Sequence, residues 1–404
     1  MTRDRPTILY VDEAVSFGGS IVVLGSLVEA IDKQKFRSVV VGEMSRSILS
    51  YHIRDSARIY VIPRMFTYAH WIKATRIINR VRFMFLRKLI IYLLSGVRSL
   101  VNTVYIARLV NVILKEKVDL LHVNNGMSNL GPIIAAILLG RKCIVHFHGL
   151  GKPGFIQRLL LFKVHKYIAI SQYLSEALVE YGFPTDRMVV IPNPVQETHA
   201  LSMNGLDMHR QYGLGSEDKV FGIVGRIVKW KGHIEFLKAA FLALEMVPDS
   251  KALIVGDFSD GNLGYQEQII NIVEESGFKD RIIMTGYVKH LGRIYSIMDV
   301  CVHASIKPEP FGLVIIEAMA NGVPVIASDL GAPKEIITDG VNGYLINPES
   351  TEKLAEMIVS LLTDEELRKK IGNKGREHVQ NNYQVNKYAR SVEKIYSELL
   401  EKSA

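Results

Sequence analysis

Short apolar runs recur along the chain, each followed by a longer stretch whose apolar positions return every three or four residues. The runs predict strands over 7–11, 37–41, 59–62, 120–123, 143–146, 167–170 and 189–191 in the first half. The second half repeats the pattern over 220–224, 252–255, 282–284, 300–303, 325–327 and 344–346. Helices are expected from 19 to about 31, over 313–320, from openings near Gly232 and Gly331, from Ser350 and Asp364, and over 385–400. Strands that are apolar throughout, alternating with helices, argue for parallel sheets covered on both faces. Such a sheet offers a ligand site beyond the carboxyl ends of its strands.

Pro192-Asn193-Pro194 interrupts the pattern, so a first domain is placed at 1–195 and a second at 196–384, with 196–218 as a polar link. A last helix is placed over 385–404.

Composition agrees with two cores: 404 residues, 48% hydrophobic and 22% charged. The net charge of +8 suits anionic ligands or an anionic membrane surface. It would also suit nucleic acid, but no nucleic-acid motif accompanies it, and no nucleic-acid partner is expected. Two cysteines, Cys143 and Cys301, sit inside apolar runs and read as buried reduced thiols of a cytoplasmic protein. No Cys/His cluster has metal-ligand spacing, and the charged first residues lead into a strand rather than a signal peptide.

The charge is uneven. Between Arg64 and Lys117 eleven Lys and Arg face one acid, Glu116, with Trp71, Phe83, Phe85 and Tyr92 interleaved. The uncharged run 89–97 is too short to span a bilayer. A basic amphipathic stretch over 64–117 suits an anionic membrane surface, and so the inner face of the cell membrane; ordinary sheet-packing helices with basic outer faces would read the same way.

The stretch with most chemistry is EPFGLVIIE, Glu309 to Glu317. Pro308 and Pro310 disfavour helix before them, and Gly312 gives a flexible entry. The helix after it leaves unpaired N–H groups near Phe311, Gly312 and Leu313, where the helix dipole favours an anion. Glu309 ahead of that spot and Glu317 beyond it can hold hydroxyls on either side of a bound phosphate. A hydroxyl–phosphate–hydroxyl ligand is a nucleotide sugar. Two solvated glutamates would share this spacing. Three further loops follow strands: Gly18-Gly19, where a ligand could approach the backbone; His148-Gly149; and Arg226 to Lys231, two cations able to neutralise a diphosphate.

The run VIIEAMANGVPVIASDLGAPKEII, with Glu309 and Glu317 enclosing seven residues and GRIVKWKGH at 225–233, resembles the donor-binding segment of retaining glycosyltransferases of family 4. The resemblance is strong over the second half; in the first it rests on architecture and short matches. It implies a GT-B architecture, two Rossmann-like doubly wound parallel-sheet domains facing across a cleft, with the helix over 385–404 crossing back to the first. It implies a hexose moved from a nucleotide-diphosphate sugar to a glycan or lipid-linked acceptor. Arg226 and Lys231 would hold the diphosphate without a metal or other cofactor, and the Gly18-Gly19 pair would lie near phosphates and acceptor. Glu309 and His148 would face the reacting sugar, and Glu317 the ribose. IPNPV at 191–195 departs from the usual Pro-Asn-Gly turn, and GDFSDG at 256–261 lacks the usual Gly-x-Gly, which leaves the base contacts unplaced. A sugar-nucleotide epimerase of the same architecture and a non-catalytic nucleotide-sugar-binding subunit remain open beside it.

Overall fold

The structure is a computed structural model. It describes residues 5–12, 18–43, 56–63, 102–195, 205–258 and 263–401, with residues 49, 53 and 90. The chain forms two compact units. The first holds residues 1–170, 174–191 and 388–404; the second holds 171–173 and 192–387.

The first unit is built on β1 (Thr7–Asp12), β2 (Arg37–Gly42), β3 (Arg58–Val61), β4 (Leu120–Asn124), β5 (Lys142–Phe147), β6 (Lys166–Ala169) and β7 (Met188–Val190). They form one sheet in the order β3-β2-β1-β4-β5-β6-β7, every pairing parallel. All six residues of β1 are buried, which is why this strand shows no polar alternation. The chain lays strands outward from β1 on one side, then returns to build the other side from β4. The gap between β1 and β4 is therefore the topological switch point.

The second unit repeats the device with β8 (Lys219–Val224), β9 (Ser250–Val255), β10 (Ile282–Gly286), β11 (Val300–His303), β12 (Val325–Ser328) and β13 (Tyr344–Ile346). Their order is β10-β9-β8-β11-β12-β13, again all parallel, with the switch point between β8 and β11. Phe221, Ile223, Phe236, Leu237, Val302 and Ile358 belong to its core. Each of the thirteen expected strands is present, with ends shifted by two residues or fewer.

Within the link at 196–218, Gly205–Gln211 is helical, and residues 196–204 lie outside the described ones. A short helix, Pro333–Ile336, does begin just after Gly331, and Gly331 (φ 84) also lets the backbone of Glu309 pass close by.

Most of the basic stretch, residues 64–89 and 91–101, lies outside the described residues. The described remainder is a helix over 102–115 that buries Tyr105, Leu109, Val112 and Ile113 and exposes Arg108. Among the described residues, no helix is long and apolar enough to cross a membrane. Glu116 is buried at the amino edge of the sheet, where it pairs with Arg37 (2.9 Å) and Arg58 (3.1 Å) and accepts from Tyr60. Burial alone would push its carboxyl up, but these partners outweigh burial and hold it low. Replacing Glu116 with Ala leaves two arginines without their shared anion. The variant should lose about 2 kcal/mol of stability in urea denaturation, a buried-pair loss discounted for the exposed arginines.

Candidate functional site

In the second unit the site residues gather at the carboxyl ends of β8 and β11. Beyond β8 the chain turns through Gly225 (φ 148) and Arg226, then a short 3₁₀ turn over Lys229–Lys231, and reaches Gly232. Gly232 has φ 75, and a Cβ there would sit 1.8 Å from the carbonyl oxygen of Ala304. Only glycine allows this approach. It is reinforced by Ile306 N–H donating to the Trp230 carbonyl at 2.9 Å. The contact brings Lys231 against the chain leaving β11.

There Lys231 Nζ lies 2.5 Å from Glu309 Oε2. Ser305 Oγ donates to the same oxygen at 3.2 Å, and His303 Nε2 lies 3.1 Å from it. The Lys231 ammonium also lies 4.3 Å from the centre of the Trp230 ring. Burial would raise the Glu309 carboxyl, but the Lys231 charge and the His303 contact more than offset it and hold it at about 2. Glu309 is thus a fixed anion at any physiological pH. Its other oxygen, Oε1, has no hydrogen-bond partner among the described residues. The backbone is clamped as well: Glu309 N–H donates to Leu330 at 3.0 Å, and Ala332 N–H donates to the Glu309 carbonyl at 2.9 Å.

Gly312 (φ 102) starts the helix Leu313–Ala320 as expected. Phe311 is buried and meets Tyr383 edge-on at 6.0 Å, fixing the entry to the helix. Glu317 lies beyond the first turn, closely surrounded though still in partial contact with solvent. Burial pushes its carboxyl up to about 7, and a hydrogen bond from Tyr295 Oη at 3.3 Å offsets this only in part. The two glutamates therefore differ in kind: Glu309 is permanently charged, and Glu317 titrates near neutrality.

Arg226 and Lys231 do not form two equivalent cations. Lys231 is committed to Glu309, whereas Arg226 is exposed and has no partner among the described residues.

In the first unit, Gly18 has extended backbone (φ −167) and a Cβ there would meet nothing within 4 Å, so packing does not demand glycine. Gly19 is the first residue of the helix Gly19–Ala30. Residues 13–17 lie outside the described ones. His148 lies beyond β5, and its Nε2 is 2.8 Å from Asn124 Oδ1. Asn124 Nδ2 donates to Asp12 Oδ2 at 2.9 Å, which turns the amide oxygen toward the imidazole. Nε2 of His148 then carries the proton and Nδ1 presents a lone pair. The ring stacks on His146 at 4.4 Å, and burial lowers its pKa to about 3, so it is neutral at physiological pH. Behind it, His146 Nδ1 is 3.2 Å from His122 Nε2, and His122 Nδ1 is 2.5 Å from Tyr396 Oη on the last helix. Asn125 adopts φ 78, an uncommon conformation for a non-glycine residue, and donates to Asp12 Oδ1 at 3.1 Å.

Asp12, Asn124, His303 and Ser305 were not among the expected site residues. Their signal was a polar residue at or just beyond the last position of an apolar strand. Among the described residues no group of three or more His, Cys, Asp or Glu could hold a metal ion.

The family model for glycosyltransferase family 4 matches residues 17–199, and that for glycosyl transferases group 1 matches 206–378. An uncharacterized glycosyltransferase of Methanocaldococcus jannaschii is 30% identical over 318 residues, covering 75% of this chain and 82% of its own length. The chain belongs to glycosyltransferase family 4. This glycosyltransferase is also 25% identical over 331 residues to the UDP-Gal:alpha-D-GlcNAc-diphosphoundecaprenol alpha-1,3-galactosyltransferase of Escherichia coli, covering 77% of this chain and 81% of that one. In fold it is similar to HepE of Anabaena, solved in complex with UDP-glucose. The TM-score is 0.78 at 20% identity, covering 97% and 99% of the two chains, and this likeness speaks for the GT-B fold alone.

The raised pKa of Glu317 carries a stability consequence in the glycosyltransferase. Its folded value of about 7 lies above the ordinary 4.5, so its contribution is fully present below pH 4.5 and is lost as pH rises through 7. Glu317→Gln removes that loss. Relative to the parent protein, the variant should gain about 2 kcal/mol between pH 5 and pH 8, read from paired denaturation curves. An unchanged difference at the two pH values would mean that Glu317 is ionised throughout.

Proposed function

We propose that this glycosyltransferase is a retaining hexosyltransferase that moves a hexose from a UDP- or GDP-linked donor to a hydroxyl of a glycan or lipid-linked acceptor. The observation that carries this reading is Glu309. It is an anion held by Lys231, His303 and Ser305, with one oxygen open, just ahead of the free N–H groups that begin the helix Leu313–Ala320.

Glu309 Oε1 accepts from hydroxyls of the transferred sugar and stabilises the positive charge that grows as the anomeric carbon leaves phosphate. The N–H groups of Phe311, Gly312 and Leu313, with Arg226, receive the departing diphosphate. Lys231 adds positive potential there while keeping Glu309 ionised. Glu317 takes the ribose hydroxyls, and the Nδ1 lone pair of His148 accepts from a hydroxyl of the reacting sugar. We assign the Gly18-Gly19 turn to the approach of phosphates and acceptor.

Glu309 is a poor nucleophile, because its charge is already shared among three partners. Retention is therefore assigned to a front-face route. The bond from the anomeric carbon to the phosphate oxygen breaks, the acceptor oxygen bonds on the same face, and the acceptor proton passes to the departing phosphate. No metal is required in this reading, since the protein's own cations and N–H groups meet the leaving charge.

The Escherichia coli relative acts, by its name, on a diphosphoundecaprenol-linked sugar, and HepE binds UDP-glucose. They support a UDP donor and a lipid-linked acceptor in cell-envelope polysaccharide or glycolipid synthesis. We place this work on the cytoplasmic side at the inner face of the cell membrane, where a lipid-linked acceptor would be met.

Steady-state kinetics test the division of labour. Glu309→Gln should mainly lower kcat, by the equivalent of about 2–4 kcal/mol, because its contact strengthens as charge develops. Glu317→Gln should mainly raise the donor KM, because the ribose is held alike in ground and transition states. Near-parental kinetics in both variants, with folding intact, would sink the assignment.

Excess chelator should leave the rate unchanged. Complete loss, restored by magnesium or manganese, would instead point to a metal on the diphosphate.

A further inference from the structure

Beyond β5, the short helix Phe155–Leu160 buries none of its residues. Phe155, Ile156, Leu159 and, one turn on, Phe162 are 78%, 59%, 63% and 66% exposed. Their spacing places them on one face of the helix and its continuation. The segment is anchored from beneath. Leu161 and Val164 are buried, Tyr167 Oη donates to the Leu161 carbonyl at 2.7 Å, and Arg187 donates to the carbonyls of Phe162 and Val164, each at 2.7 Å. The apolar side chains are thus held outward by a fixed backbone. An apolar face this continuous and this exposed marks an interaction site.

Charge narrows the occupant. From Leu120 to Ser175 the sequence carries Arg141, Lys142, Lys152, Arg158, Lys163 and Lys166, and no Asp or Glu. Lys152, Arg158 and Lys163 flank the apolar face and are exposed. Of the acids beyond that stretch, Asp186 is 3.9 Å from Arg187. A second copy docked on this face would bring like charges together. A nucleic acid would leave four large apolar side chains without purpose. An anionic bilayer satisfies both halves: the apolar side chains enter the acyl boundary while the basic ones reach the headgroups.

We propose that the face of Phe155, Ile156, Leu159 and Phe162, rimmed by Lys152, Arg158 and Lys163, docks this glycosyltransferase on an anionic lipid bilayer. This deepens the proposed lipid-linked acceptor, on which its purpose rests, and it gives the membrane contact residues beyond the basic stretch at 64–117 in the sequence.

The test is co-sedimentation of the full chain with phosphatidylcholine vesicles and with mixed phosphatidylcholine–phosphatidylglycerol vesicles, in low and high salt. The parent protein should bind the mixed vesicles and release as salt rises. The double variant Phe155→Ser, Leu159→Ser should bind about tenfold more weakly. The triple variant Lys152→Gln, Arg158→Gln, Lys163→Gln should bind weakly with little salt dependence. All these positions are exposed, so thermal midpoints should not move. Parental binding by both variants, or no binding by the parent, overturns the proposal. So does association of the chain without lipid that the double variant abolishes, which would make the face a self-association surface. Binding is read without donor or acceptor. Failure of the transferase reading would therefore leave these outcomes unaltered, and failure here would leave transfer to a water-soluble acceptor intact.

Discussion

The second unit depends on one ion pair placed almost out of water. Lys231 and Glu309 lie 2.5 Å apart, with side chains 16% and 10% exposed. Burying two charges is costly, and the attraction between them compensates only where geometry is close and the remaining lone pairs are met. His303 and Ser305 supply the extra contacts, and two glycines supply the closeness. Gly232 lets the Lys231 turn lie against Ala304, and Gly331 lets the loop after β12 lie against Glu309. A Cβ at either position would force the backbones apart. The electrostatics of the site are thus set by main-chain approach, and glycines with no chemistry of their own fix the charge of a carboxylate.

The two units use the same sheet geometry and opposite electrostatics. In the second, pairing holds Glu309 charged despite burial. In the first, burial prevails over any partner: His148, His146 and His122 form a neutral stack behind one exposed edge. Asp12 steers that stack without charging it, because Asn124 stands between its carboxylate and the imidazole.

Much of the fold was legible. Strands buried on both faces stand out as unbroken apolar runs, so 300–303 and 344–346 were placed to the residue. Sheet order was not, because a run such as 120–123 does not say on which side of β1 it will pair. Glu309 and Glu317 were singled out through their spacing and the run that follows them, but their different charge states were not foreseen. Those come from the folded surroundings: Lys231, distant in sequence, holds Glu309 charged, and burial raises Glu317 against the hydrogen bond from Tyr295. The helix start near Gly331 was legible, but not that the same glycine lets the backbone of Glu309 pass close by, a contact with a segment distant in sequence. His303 and Asn124 were passed over because one polar residue ending an apolar strand is commonplace until the sheet aligns it with others.

Glu317 has a consequence for how occupancy is felt in solution. A carboxyl titrating near 7 is part protonated in the empty protein at neutral pH. On the proposed assignment, ribose hydroxyls donating to it would favour the ionised form, so a donor seated there would expel a fraction of a proton into the buffer. The heat of donor binding would then vary with the ionisation enthalpy of the buffer, and apparent affinity would strengthen as pH rises through neutrality. The empty site would act as a weak acid whose strength reports whether a nucleotide is present.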